Sequence, residues 1–114
     1  MTLDPLTKDA QFVLHKIYKE YIDNVNGGVS KKDARNLGSG ESLYQRLFSD
    51  QYYEDYLDTI RELGKKKYLN NKWASNKVIY STLTLEAIEL CEPNFRKIIK
   101  ILADSATTIR NILP

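Results

Sequence analysis

The sequence predicts a mostly α-helical chain carrying one small β-hairpin, and three observations in residues 52–85 carry that prediction. Tyr53, Tyr56, Leu57, Ile60 and Leu63 recur at steps of three and four, which gathers them on one helical face. The period then falls to two: Ile79, Ser81 and Leu83 alternate with Val78, Tyr80 and Thr82, in a stretch rich in β-branched and aromatic residues. Between these lies the polar run Asn70-Asn71-Lys72-Trp73-Ala74-Ser75-Asn76-Lys77, suited to a hairpin loop with one aromatic in it. Thr84 closes the strand and can start another helix, its hydroxyl accepting from an orphan backbone N–H.

Length and composition set limits. A chain of 114 residues is one domain, burying ~65% of its extended-chain surface. Its 42% hydrophobic and 28% charged residues are ordinary for a soluble globular protein. No apolar run approaches the roughly 20 residues of a membrane span, so no membrane partner is expected. Met1-Thr2-Leu3-Asp4-Pro5 lacks the basic-then-apolar order of a signal peptide, and the single Cys91 admits no internal disulfide. A cytoplasmic location is expected. The net charge of +2 is too small to point to nucleic acid by itself.

A first helix is expected from about Pro5 or Lys8 to Val25, with Asp4-Pro5 as its start. Ala10, Val13, Leu14, Ile17, Tyr21 and Val25 form its main stripe, while Phe12 and Ile22 lie nearly opposite and ask for a second packing partner. Asn26-Gly27-Gly28 ends it. Ser30-Lys31-Lys32-Asp33 has the form of a capping box and opens a short second helix, Lys31 to Leu37. Gly38-Ser39-Gly40 reads as a flexible break. Glu41 to Phe48 reads as an inserted helical turn or two, after which Ser49 or Asp50 caps the third helix. Beyond Thr84, Pro93 marks a kink or a fresh start, and Phe95, Ile98, Ile99, Leu102, Ala106, Ile109, Ile112 and Leu113 make a long apolar stripe. The division expected is residues 8–83 for three helices and hairpin, and 84–114 for a C-terminal helical extension.

The order Leu63, Tyr68-Leu69, hairpin, then Leu83-Thr84-Leu85-Glu86-Ala87-Ile88-Glu89 resembles winged helix-turn-helix proteins of the PadR-like and YjcQ-type kind. There a leucine-threonine pair closes the wing and begins a long helix. The ending Lys97-Ile98-Ile99-Lys100, Ile109-Arg110 and Ile112-Leu113-Pro114 is also similar to small YjcQ-type bacterial and phage proteins. The resemblance spans roughly residues 8–114 and rests on fold markers. It implies a winged-helix fold and, by analogy, DNA binding. Lys67 and Ala87 stand where those proteins have glycine, and the Gly38–Phe48 segment lengthens the link between helices 2 and 3.

The residue supply does not favour catalysis. His15 is the single histidine and falls away from the main stripe of its helix, as a surface or packing residue. Cys91 has no histidine or second cysteine near it, so it reads as a small core residue without zinc or redox partners. Gly38-Ser39-Gly40 lacks the lysine-serine ending of a phosphate loop. No cofactor or metal is expected.

Charge is more informative. Between Gly64 and Lys77 stand Lys65, Lys66, Lys67, Lys72 and Lys77 with no acid among them. With Lys31, Lys32 and Arg35 of helix 2 and Arg46 of the insertion, they can neutralise phosphates, and Trp73 can pack on a sugar or enter a minor groove. The alternative is that the lysines guard an edge hairpin. Against DNA, residues 51–63 hold Glu54, Asp55, Asp58 and Glu62 against Arg61, a net −3 in the helix that would enter the major groove. Two functions follow: a non-enzymatic accessory or regulatory protein contacting double-stranded DNA through wing and helix 2, or a protein-interaction module of phage or mobile-element origin. A homodimer is expected through Phe12, Ile22, Phe95, Ile98, Ile99, Leu102, Ile109 and Ile112, with fold-back of the last helix on its own chain as the alternative.

Overall fold

Helix α1, Lys8–Asn26, supplies the longest stretch of core. The computed structural model that shows it describes residues 6–100 and 102–103, so the expected Asp4-Pro5 start lies outside the described residues. Thr7 is the cap observed: its Oγ1 accepts from the Ala10 amide at 3.2 Å. Ala10, Val13, Leu14, Ile17 and Tyr21 are buried as their spacing requires, and His15 and Tyr18 join them. Gly28 ends the helix at φ +102°, a conformation glycine adopts without a Cβ clash, and the Val29 amide returns to the Asn24 carbonyl at 2.9 Å.

The segment after α1 departs from expectation. Ser30 caps as foreseen, its Oγ accepting from the Asp33 amide, but helix α2 is a single turn, Lys31–Ala34. Residues expected to continue it form strand β1, Asn36–Gly38. The expected flexible break is instead the end of β1, the cap Ser39 and the first residue of helix α3, Gly40–Leu47, which is helical where the insertion was expected to be. Three causes explain the difference. Leu37 and its neighbours find backbone partners in a strand; Gly38, at φ +80°, turns the chain; and Ser39 accepts from the Ser42 amide to start α3. Gly40 is buried against Val78, where a Cβ would come within 2.8 Å of the valine Cβ. The two glycines therefore have separate tasks, and neither makes a flexible joint.

Helix α4, Tyr53–Lys65, follows, capped by Tyr52 without a side-chain bond; neither Ser49 nor Asp50 caps it. Strands β2, Leu69–Ala74, and β3, Lys77–Leu83, form the expected hairpin. Ser75 and Asn76 both have positive φ (51° and 63°), as a tight two-residue turn demands. The sheet is antiparallel in the order β1-β3-β2, leaving β2 an edge strand. The register slips between Lys72↔Tyr80 and Trp73↔Val78, a bulge that takes an extra residue on β3. This corrects the simple alternation. Val78, Ser81 and Leu83 are buried, whereas Ile79, expected to share a face with Ser81 and Leu83, is 55% exposed.

Helix α5, Leu85–Cys91, is capped by Thr84 as foreseen. A 3-10 turn, Glu92–Asn94, takes up Pro93 and passes into helical residues 95–100. These lie on their own chain: Ile98 is 2% exposed, Phe95 meets Tyr18 edge-on at 6.0 Å, and Ile22, Phe95 and Leu102 pack against the core. Five of the residues proposed for a dimer interface thus stand as follows: Ile22, Phe95, Ile98 and Leu102 have intramolecular partners, and Ile99 is half-buried. Phe12 is half-buried beneath the Lys16 ammonium, while Ile109 and Ile112 lie outside the described residues.

Candidate nucleic-acid interface

The lysine-rich region is held by polar bonds made by its neighbours. Helix α4 ends with the Tyr68 amide bonded to the Leu63 carbonyl and the Lys67 amide to the Gly64 carbonyl, each 3.0 Å. That pairing needs a left-handed residue at Lys67, which has φ 66°. Thr84 then fixes the base of the hairpin, its hydroxyl donating to the Lys67 carbonyl at 2.8 Å. One turn further in, Asn71 joins helix to sheet. Its Nδ2 donates to the Ile60 carbonyl at 3.0 Å, and its Oδ1 accepts from Ser81 Oγ at 2.7 Å. Gly64 gives it room, since a Cβ there would lie 2.8 Å from that Nδ2.

Alternation along β2 places Trp73 on the same side as Asn71, facing α4. The Arg61 guanidinium lies over its ring at 4.8 Å, a cation–π contact that a sequence reading centred on Trp73 alone did not anticipate. Helix and edge strand bound a groove of about 640 Å³ lined by Arg61, Gly64, Lys65, residues 69–71 and residues 73–76. No acid lines it.

The expected cations divide into two groups. Lys31, Lys32, Lys65, Lys66, Lys67, Lys72 and Lys77 are exposed and make no ion pair among the described residues. Arg46 and Arg35 are engaged within the fold. Arg46 binds Glu20 through Nε at 2.8 Å and Nη2 at 2.9 Å, and also reaches Ser42 Oγ and the Leu37 carbonyl. The hydrogen-bonded carboxylate raises its pKa further above an already high value. Arg35 Nε donates to the Leu83 carbonyl at 3.1 Å. Both were expected to contact phosphate; within the fold Arg46 ties α3 to α1 and β1, and Arg35 ties the end of α2 to β3.

The acids of α4 also change meaning. Glu62 accepts from the Thr7 amide and hydroxyl, both at 2.8 Å, and so holds the start of α1. Asp58 lies 3.5 Å from Arg61. Glu54 and Asp55 occupy the first turn, where the helix dipole favours them. They share that end with Tyr52, 83% exposed, and Tyr53, whose ring meets Tyr44 edge-on.

His15 and Cys91 are buried in the core. Burial lowers the His15 pKa and pushes the Cys91 thiol up to about 12. Among the described residues no group of His, Cys, Asp and Glu is placed to hold a metal ion, and no helix is long and apolar enough to cross a membrane. No protein-family model, curated protein or solved structure matches this chain.

Proposed function

We propose that the chain is a winged helix-turn-helix protein that binds double-stranded DNA without catalysing a reaction, gripping the backbone through the end of α4 and the β2–β3 wing. In this reading α3 and α4 are the helix-turn-helix, and β1 joins the wing as the third strand. One observation carries the functional part. Lys65, Lys66, Lys67, Lys72 and Lys77 are exposed and free of ion pairs among the described residues, at the end of α4 and along the hairpin, beside a groove whose described lining holds no acid. Cations so placed release counterions from a phosphate backbone and read no bases. The use of Glu62 by Thr7 and the nearness of Asp58 to Arg61 reduce the repulsion that the sequence alone suggests. Lys31 and Lys32 extend the cationic surface, while Arg46 is bound to Glu20 and Arg35 Nε to the Leu83 carbonyl.

A second reading has its own support. Tyr52, Tyr53, Glu54 and Asp55 form an exposed aromatic and acidic end of α4, better matched to a basic protein partner than to DNA. Amide chemical shifts followed during titration with random-sequence duplex separate the two. Shifts centred on residues 65–67, 72, 73 and 77 are expected. No shifts at low salt, or shifts confined to residues 52–58, would turn the assignment to the protein-interaction reading.

A further inference from the structure

The groove beside β2 carries an inference that does not depend on DNA binding. Strand β2 is the edge of its sheet, and its backbone bonds are those to β3. No other backbone or side-chain group among the described residues bonds to the main chain of β2. A row of donors and acceptors therefore faces outward, and the helix α4 stands beside it without closing it. The strand holds no proline. Arg61 and Lys65 flank this edge from the helix, Lys72 is exposed on the other face of the strand, and no acid among the described residues lines the groove. Trp73 offers a flat apolar surface beneath Arg61.

We infer that this groove accepts an acidic peptide in extended conformation, which adds to β2 as a further antiparallel strand. Alternating donors and acceptors complement another main chain, whereas a phosphate backbone offers acceptors alone. The charges select among peptides. Lys72 on each strand disfavours pairing of β2 with a second copy of itself, but Lys65 and Arg61 on the groove side attract glutamate or aspartate. A nucleic acid strand laid along the whole of α4 would meet Asp58, Asp55 and Glu54 a turn or two beyond the groove. A short peptide needs just the acid-free end.

Trp73 is the sole tryptophan and lies in the groove, so its emission reports occupancy directly. The probe is a short synthetic peptide alternating glutamate with valine, added to the full chain at low ionic strength. A saturable blue shift of Trp73 emission is expected. The Lys65→Glu variant leaves the Arg61–Trp73 stack in place and should bind about fivefold more weakly. A peptide of the same charge with proline at alternate positions should lose binding, since it cannot form the ladder. Equal binding of the proline peptide would reduce the effect to charge attraction and overturn the inference. So would no emission change with the glutamate–valine peptide, or saturable binding of a single-stranded oligonucleotide in its place.

Discussion

Gly40→Ala tests the placement of α3 against the sheet, on which the assignment of the helix-turn-helix depends. Gly40 is the first residue of α3 and is buried; an added Cβ would sit 2.8 Å from Val78 Cβ and 3.4 Å from both of its methyls. Relief to an ordinary contact asks for a shift of about 0.6 Å. Val78 cannot supply this by changing rotamer, because the nearest atom is the Cβ fixed to a strand paired on both sides. Overpacking of this kind costs about 1–3 kcal/mol, while alanine for glycine in a helix returns at most ~1 kcal/mol, and less in the first turn. A net loss of ~1–2 kcal/mol is expected, lowering the melting temperature by about 4 °C per kcal/mol. Urea titration with an unchanged m-value reads the loss. Val78→Gly moves the missing Cβ to the other side of the contact, so the double variant should be less damaged than the sum of the two, by ~1 kcal/mol or more. A neutral or stabilising Gly40→Ala, or additive effects, would mean that α3 does not lie on β3 at this point.

Three further outcomes follow from single residues. Lys67→Gly should raise stability by ~0.5–1 kcal/mol in thermal unfolding, because a lysine at φ 66° bears a Cβ penalty that glycine lacks; an unchanged or lower value would deny the left-handed helix end. Burial lowers the His15 pKa from 6.5, so the unfolded chain takes up the proton first: stability should be complete above pH 6.5 and fall below it, by at most ~1.4 kcal/mol per pH unit, and His15→Leu should remove that slope. A wild-type stability that stays flat from pH 7 to 5 would contradict the burial. Ile98→Ala should cost about 2–5 kcal/mol whatever the protein concentration, as for a side chain buried on its own chain; a cost that grows on dilution would restore the dimer interface.

Much of the architecture was legible because its signals are local. The 3.6-residue spacing in α1 and α4, Ser30 and Thr84 as caps, and the change of period at the hairpin all come from neighbours in sequence. The failures came where a weak local pattern met a stronger partner elsewhere. Leu37 continued a helical stripe, yet its segment pairs with β3 some 45 residues away, and Ser39 was passed over as a cap because it stood between two glycines. Ile79 was misplaced since a bulge leaves no mark in a simple alternation. At the candidate site the lysine run was legible as composition. The engagement of Arg46 with Glu20, Glu62 with Thr7 and Arg61 with Trp73 depends on tertiary approach and has no sequence signature.

The salt dependence of duplex binding tests the central proposal most directly. Affinity for a random duplex, followed by fluorescence anisotropy at several salt concentrations, gives a slope of about −0.9 for each phosphate neutralised. A variant with glutamine at positions 65, 66, 67, 72 and 77 keeps the polar bonds that build the junction, which involve none of these side chains. Wild-type protein should bind with a steep slope, and the variant should bind more weakly with a slope flatter by about 2 or more. Equal slopes for the two proteins would remove the helix end and the wing from any contact with DNA.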